Sequence, residues 1–209
     1  MACLSATRIN YIEALDVMVL NSAYKEKRIP GESGIWVFVM GDMLIFALFF
    51  FVFLYYRDAD LALYQESQKE LSGSMGLLNT VVLLSSSWCV ARFMHYLRND
   101  ALGVARRYLL LAILLGVTFG VVKFFEYDAK LAQGIVLTTN DFFMYYYMLT
   151  GIHMLHVILG VAGLIFVNFI VKNEGKTSKV TVISECAAVY WHMVDLLWIM
   201  LFPLLYLIA

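Results

Sequence analysis

Ionisable side chains set inside long apolar runs are where this sequence could do chemistry. Asp42 sits in one such run. Asn79, Arg92 and His95 lie in a second, Lys123 and Glu126 in a third, His153 and His156 in a fourth, and Trp191, His192 and Asp195 in a fifth. The pairs Lys123/Glu126, His153/His156 and His192/Asp195 are spaced i, i+3, which puts each pair on one face of a helix. Imidazoles on two helices can clamp a haem. A carboxylate beside a histidine can orient it as an outer-shell partner does for a metal ligand, and a series of carboxylates and imidazoles can relay protons. The same residues at the same spacing also serve architecture, as hydrogen-bonded histidines within a bundle, a buried His–Asp pair, or end-of-helix charges that snorkel to the interface.

The elements that must position these groups are membrane helices. About 20 helical residues cross a bilayer core. Five segments reach that length: roughly 35 to 56, 75 to 97, 107 to 126, 142 to 171 and 186 to 208. Their connections are polar or turn-forming, and none is long enough to be a soluble domain. The chain therefore reads as an all-α membrane protein, with a polar N-terminal segment over 1–33 and a five-helix domain over 34–209. Ten Lys and Arg fall on the side of the N-terminus and the second and fourth connections, against Arg57, Lys69 and Lys130 on the other. Basic residues near short loops stay cytoplasmic, so the N-terminus is expected inside and the C-terminus outside.

Composition agrees. The sequence is 62% hydrophobic and 15% charged, with mean hydropathy +0.78, beyond what a water-facing fold carries. A net charge of −1 excludes the concentrated basic surface that nucleic-acid binding needs. Cys3, Cys89 and Cys186 are far apart with no C-x-x-C pair, so they read as three unpaired thiols. Glu13 and Asp16 interrupt the early apolar stretch, so no secretory signal is expected. Residues 11–20 could lie along the inner membrane surface as an amphipathic stretch.

Depth sharpens the candidates. Asp42 lies about 10 Å into the first span at 1.5 Å per residue, where a carboxylate must be protonated, paired or wetted. Arg92 and His95 can snorkel toward the inner face, and Lys123 with Glu126 reads as an ion pair near an outer helix end. His153 and His156 fall roughly 17 to 21 Å into the fourth span, near mid-bilayer. Glu185 is expected to begin the fifth helix, where the macrodipole favours negative charge. Gly116 with Gly120, and Gly160 with Gly163, are expected to let helices approach closely. Phe142, Phe143 and Tyr145-Tyr146-Tyr147 are expected to form an interfacial belt.

Two stretches, Gly151-Ile152-His153-Met154-Leu155-His156 and, some thirty residues later, Tyr190-Trp191-His192-Met193-Val194-Asp195, resemble the two signatures of subunit III of the haem-copper oxidases. Leu78-Asn79-Thr80 and Phe124-Phe125-Glu126-Tyr127 are similar to further motifs of that family, and the likeness runs from about residue 34 to the C-terminus. Asp42 aligns with a buried glutamate associated with the family's lipid-facing, carbodiimide-reactive site. The Pro30-Gly31-Glu32 opening and the aspartate look most similar to the five-helix branch often associated with nitric oxide reductase. Longer members have seven spans with a lipid-filled cleft, which is not expected intact here.

The resemblance implies an accessory subunit with no active site of its own, docked on a haem-bearing catalytic subunit in the bacterial inner membrane. Haem and copper are then expected in the partner, and phospholipid on this chain. The resemblance further implies support of proton uptake and protection against turnover damage. Two other classes stay open on the residues themselves. One is a small membrane cytochrome using His153 or His156 with His192; the other is a proton carrier using Asp42, the histidines and Asp195. Four histidines in the whole chain are too few for a bis-histidine haem together with a copper centre.

Overall fold

The computed structural model describes residues 30–208, and the amphipathic stretch at 11–20 lies outside them. Among the described residues six helices follow one another: α1 (Ser33–Ala59), α2 (Leu61–Lys69), α3 (Gly73–Arg98), α4 (Leu102–Ala132), α5 (Asp141–Glu174) and α6 (Ser178–Tyr206). All except the short α2 are long and apolar enough to cross a membrane. Hydrocarbon offers backbone N–H and C=O groups no water, so a spanning segment satisfies them within itself, and the helix does so everywhere but its end turns. Polar side chains set the ends. Asp60 accepts from the Leu63 N–H at the start of α2, Asn140 from Phe143 at α5 and Thr177 from Val180 at α6, each filling a donor the first turn leaves open. Gly175 ends α5 at φ +66°, a left-handed backbone that glycine adopts without a Cβ penalty.

α6 is the central helix, packed on α1, α3 and α5, while α4 closes against α3 and α5. The turns put α2 at one end of the bundle and the α3–α4 and α5–α6 turns at the other. At the α2 end, Gln68 donates to the Leu205 carbonyl at 3.1 Å, Asn140 donates to Ser67 Oγ at 2.8 Å, and Lys130 hydrogen-bonds the Glu70 carbonyl. Tyr64 is buried there against Phe53 and Phe142, and its burial raises the hydroxyl's pKa well above the usual value, so it stays neutral.

The helices outrun several expectations. α6 begins at Ser178, two turns before Glu185. That carboxylate therefore does not sit at the helix start; it accepts from Arg98 at 3.0 Å and from the Gly31 N–H at 2.9 Å. Phe142, Phe143, Tyr145 and Tyr146 are buried, packed on Phe53 and on one another. They form core rather than an interfacial belt.

The glycines serve a different purpose from close helix approach. A Cβ on Gly116 would meet Trp191 Cη2 at 2.7 Å, and one on Gly160 would meet Trp191 Cε3 at 2.7 Å. The two make a slot between α4 and α5 that takes the fully buried Trp191 indole of α6; the partners Gly120 and Gly163 are far less crowded. Gly160→Ala is expected to cost about 1–3 kcal/mol through overpacking, seen as a lower thermal midpoint in detergent. Trp191→Leu in the same background should recover part of that loss, and additive losses would show that the slot is not the cause.

Candidate functional site

Two polar centres lie inside the bundle. The first joins α4, α5 and α6. Lys123 is 1% exposed and Glu126 3% exposed. α4 continues to Ala132, so Lys123 stands nine residues from the helix end, about 14 Å deep at the helical rise. It does not snorkel; it is enclosed. Its ammonium has three N–H donors and no acceptor, and each donor has a partner: Glu126 Oε2 at 3.0 Å, Tyr206 OH at 2.7 Å and Tyr146 OH at 3.3 Å. Both tyrosine hydroxyls donate hydrogen bonds to Glu126 Oε1, at 2.9 Å from Tyr146 and 2.5 Å from Tyr206. The rings of Tyr127, Tyr146, Trp198 and Tyr206 surround the ammonium at 5.0–5.7 Å, within range of a favourable cation–π contact. Every donor is spent, which is the condition under which a buried charge pair is tolerated.

The second centre joins α1 to α5. His156 Nδ1 lies 2.9 Å from the Ile152 carbonyl oxygen. A carbonyl only accepts, so Nδ1 carries a proton and donates. His156 Nε2 lies 3.2 Å from Asp42 Oδ2. With Nδ1 already protonated, that contact needs one further proton, held either as an imidazolium facing a carboxylate or as a carboxylic acid donating to a neutral imidazole. Either arrangement is electrically neutral overall. The two side chains are 13% and 16% exposed, so this pair, unlike the lysine centre, reaches the surface of the described bundle.

The remaining candidates divide. His153 and His156 do not act as one face. His153 is fully buried, stacked on Trp198 with centroids 5.3 Å apart and edge-on to Phe119, whereas His156 turns to α1. His192 Nδ1 is 2.7 Å from Ser87 Oγ of α3 and 3.7 Å from Asp195 Oδ2, within ion-pair range but past a hydrogen bond. Asn79, His153, the Trp191 Nε1 and the Asp195 carboxylate are buried without a hydrogen-bond partner among the described residues.

A haem clamp does not fit this arrangement. His156 has both nitrogens engaged, by the Ile152 carbonyl and Asp42, and His153, whose nitrogens have no hydrogen-bond partner among the described residues, is fully buried against Phe119 and Trp198. No group of three His, Cys, Asp or Glu side chains is gathered for a metal among the described residues.

Residues 26–209 match the protein family described as cytochrome c oxidase subunit III. The chain belongs to that family. It is 31% identical to cytochrome c oxidase subunit 3 of Synechocystis sp., over 90% of this chain and 84% of the relative. It is 25% identical to the cytochrome bo(3) ubiquinol oxidase subunit 3 of Buchnera aphidicola subsp. Schizaphis graminum, over 83% and 92%. It is also similar to a haem-copper oxidase subunit I+III of Aeropyrum pernix, at 27% identity over 85% of this chain and 22% of that longer one.

In this subunit III family member, Tyr146, Tyr206 and Trp198 complete the lysine centre, yet nothing in their spacing marks them. Each lies on a different helix from Lys123 or far along the chain, and only the packing of α5 and α6 on α4 brings them in. Glu126→Leu alone would leave the ammonium unneutralised and cost about 3–5 kcal/mol. Lys123→Met with Glu126→Leu should cost less than the single change, measured by detergent unfolding. A double variant less stable than Glu126→Leu would contradict a closed charge network.

Proposed function

We propose that this chain is a non-catalytic accessory subunit of a respiratory haem-copper terminal oxidase in the bacterial inner membrane. It docks on the haem-bearing catalytic subunit, carries phospholipid, and supports proton uptake and the durability of the complex in aerobic electron transport. Family membership carries this reading. The Aeropyrum relative, whose name joins subunits I and III in one chain, supports adjacency to a catalytic subunit. Relatives named for a cytochrome c oxidase and for a ubiquinol oxidase leave the electron donor to be set by the partner. The N-inside orientation rests on Arg98, Arg106, Arg107, Lys172, Lys176 and Lys179 gathering at the end opposite α2, as cytoplasmic retention of basic loops requires.

The Asp42–His156 pair is the part of the molecule suited to proton handling. With one shared proton it is electrically neutral, and because giving that proton up leaves a lone carboxylate in hydrocarbon, a proton that leaves must be replaced. Asp42→Asn is a conservative probe, because an amide N–H can still donate to His156 Nε2 while the exchangeable carboxyl proton is lost. The variant is expected to assemble normally and to lose activity faster during turnover; failure to assemble would assign Asp42 to architecture alone.

The broader reading is tested by purifying the tagged chain in mild detergent and recording spectra before and after the complex is dissociated. Haem-bearing subunits should co-purify and the released chain should be colourless. A Soret band that stays with the released chain would make it a cytochrome and overturn the proposal.

A further inference from the structure

A charge on an exposed side of α3 has no counter-charge among the described residues. Arg92 stands six residues before the end of α3 at Arg98, about 9 Å along the helix. Its guanidinium is half-buried among three rings, Trp88 at 5.9 Å, Tyr96 at 5.0 Å and Tyr108 of α4 at 5.8 Å. It donates to Tyr96 OH at 2.7 Å. Tyr96 and Tyr108 stack at 5.4 Å with their planes 14° apart, so the cage is built jointly by α3 and α4. Among the described residues no carboxylate lies within ion-pair distance of Arg92. Lys123, by contrast, is paired with Glu126.

The surface leading to it is apolar. Val81, Leu84 and Trp88 are exposed at helical spacing along one side of α3, with Trp88 57% exposed, and Arg92 continues that stripe one turn on. A ligand fitting both features has long hydrocarbon chains and a negative head. Aromatic and guanidinium groups near a helix end suit the headgroup level, and the planar fork of arginine suits two phosphate oxygens.

We infer that Arg92, held by Trp88, Tyr96 and Tyr108, binds the phosphate of an anionic glycerophospholipid in the leaflet at the α3–α4 turn, its chains lying along Val81 and Leu84. The site is separate from the Asp42–His156 pair on α1 and α5. It rests on the reading of the chain as a lipid-carrying subunit, but a failure of the oxidase assignment would appear in co-purification and not in the lipid count below.

The test is native mass spectrometry of the intact purified complex, reconstituted in phosphatidylglycerol or phosphatidylcholine bilayers and then progressively delipidated. The wild-type complex should retain phosphatidylglycerol and not phosphatidylcholine. Arg92→Gln should lower that retention by about fivefold, the worth of one basic residue at a membrane surface. Arg92→Lys should fall between, keeping charge but losing the stack and fork. Inorganic phosphate, which lacks the chains, should not displace the lipid. Equal retention in Arg92→Gln would overturn the inference, as would displacement by inorganic phosphate. Release of the subunit from the complex by Arg92→Gln with lipid count unchanged would also overturn it, placing Arg92 against a carboxylate of the catalytic partner.

Discussion

Lys123 and Glu126 cannot reach water, and much of the bundle is arranged around that fact. A buried ammonium needs three acceptors and a buried carboxylate needs donors on both oxygens. One helix cannot supply them, because residues three and four apart on α4 offer only the ion pair itself. Tyr146 of α5 and Tyr206 of α6 complete the set, so three spans must converge at a fixed rotation and height. Hydrophobic matching alone would leave these spans free to rotate, since lipid chains and leucine side chains are equally apolar.

The same rule acts elsewhere with different partners. Asp42 ties α1, the least buried of the five spans, to α5 through His156. Glu185 ties α6 to Arg98 at the end of α3, and Ser87 meets His192 between α3 and α6. Where no polar partner is involved, shape does the work: Trp191 fills the slot that Gly116 and Gly160 leave open. These contacts differ in accessibility. The lysine centre is sealed and reads as architecture, whereas the Asp42–His156 pair is partly exposed, with a contact that needs one shared proton. That difference separates a structural charge pair from a candidate functional one.

Hydropathy alone made the five spans legible, because twenty apolar residues in a row admit few alternatives. The i, i+3 spacing also revealed that Lys123 and Glu126 would meet. It could not reveal whether they face lipid or core, since a fully apolar helix has no polar side to betray its orientation. Snorkelling was therefore expected where enclosure is found. Partners on other spans were equally hidden: nothing in the local sequence ties Asp42 to His156, 114 residues away, or Tyr206 to Lys123. Helix ends misled for a related reason. α6 starts in the polar stretch at Ser178, so a Glu185 that looked terminal is two turns inside, and the short α2 lay hidden in a connection too polar to suggest a helix.

The most direct test of the central claim, that the Asp42–His156 contact is held by one shared proton, is nitrogen-15 NMR of histidine-labelled complex near neutral pH. Spectra of the wild type are compared with Asp42→Asn to assign His156. The account predicts a protonated Nδ1 together with an Nε2 that senses a second proton, lost in the variant. An Nε2 that is unprotonated and indifferent to Asp42 would mean an uncompensated carboxylate in the membrane and would contradict it.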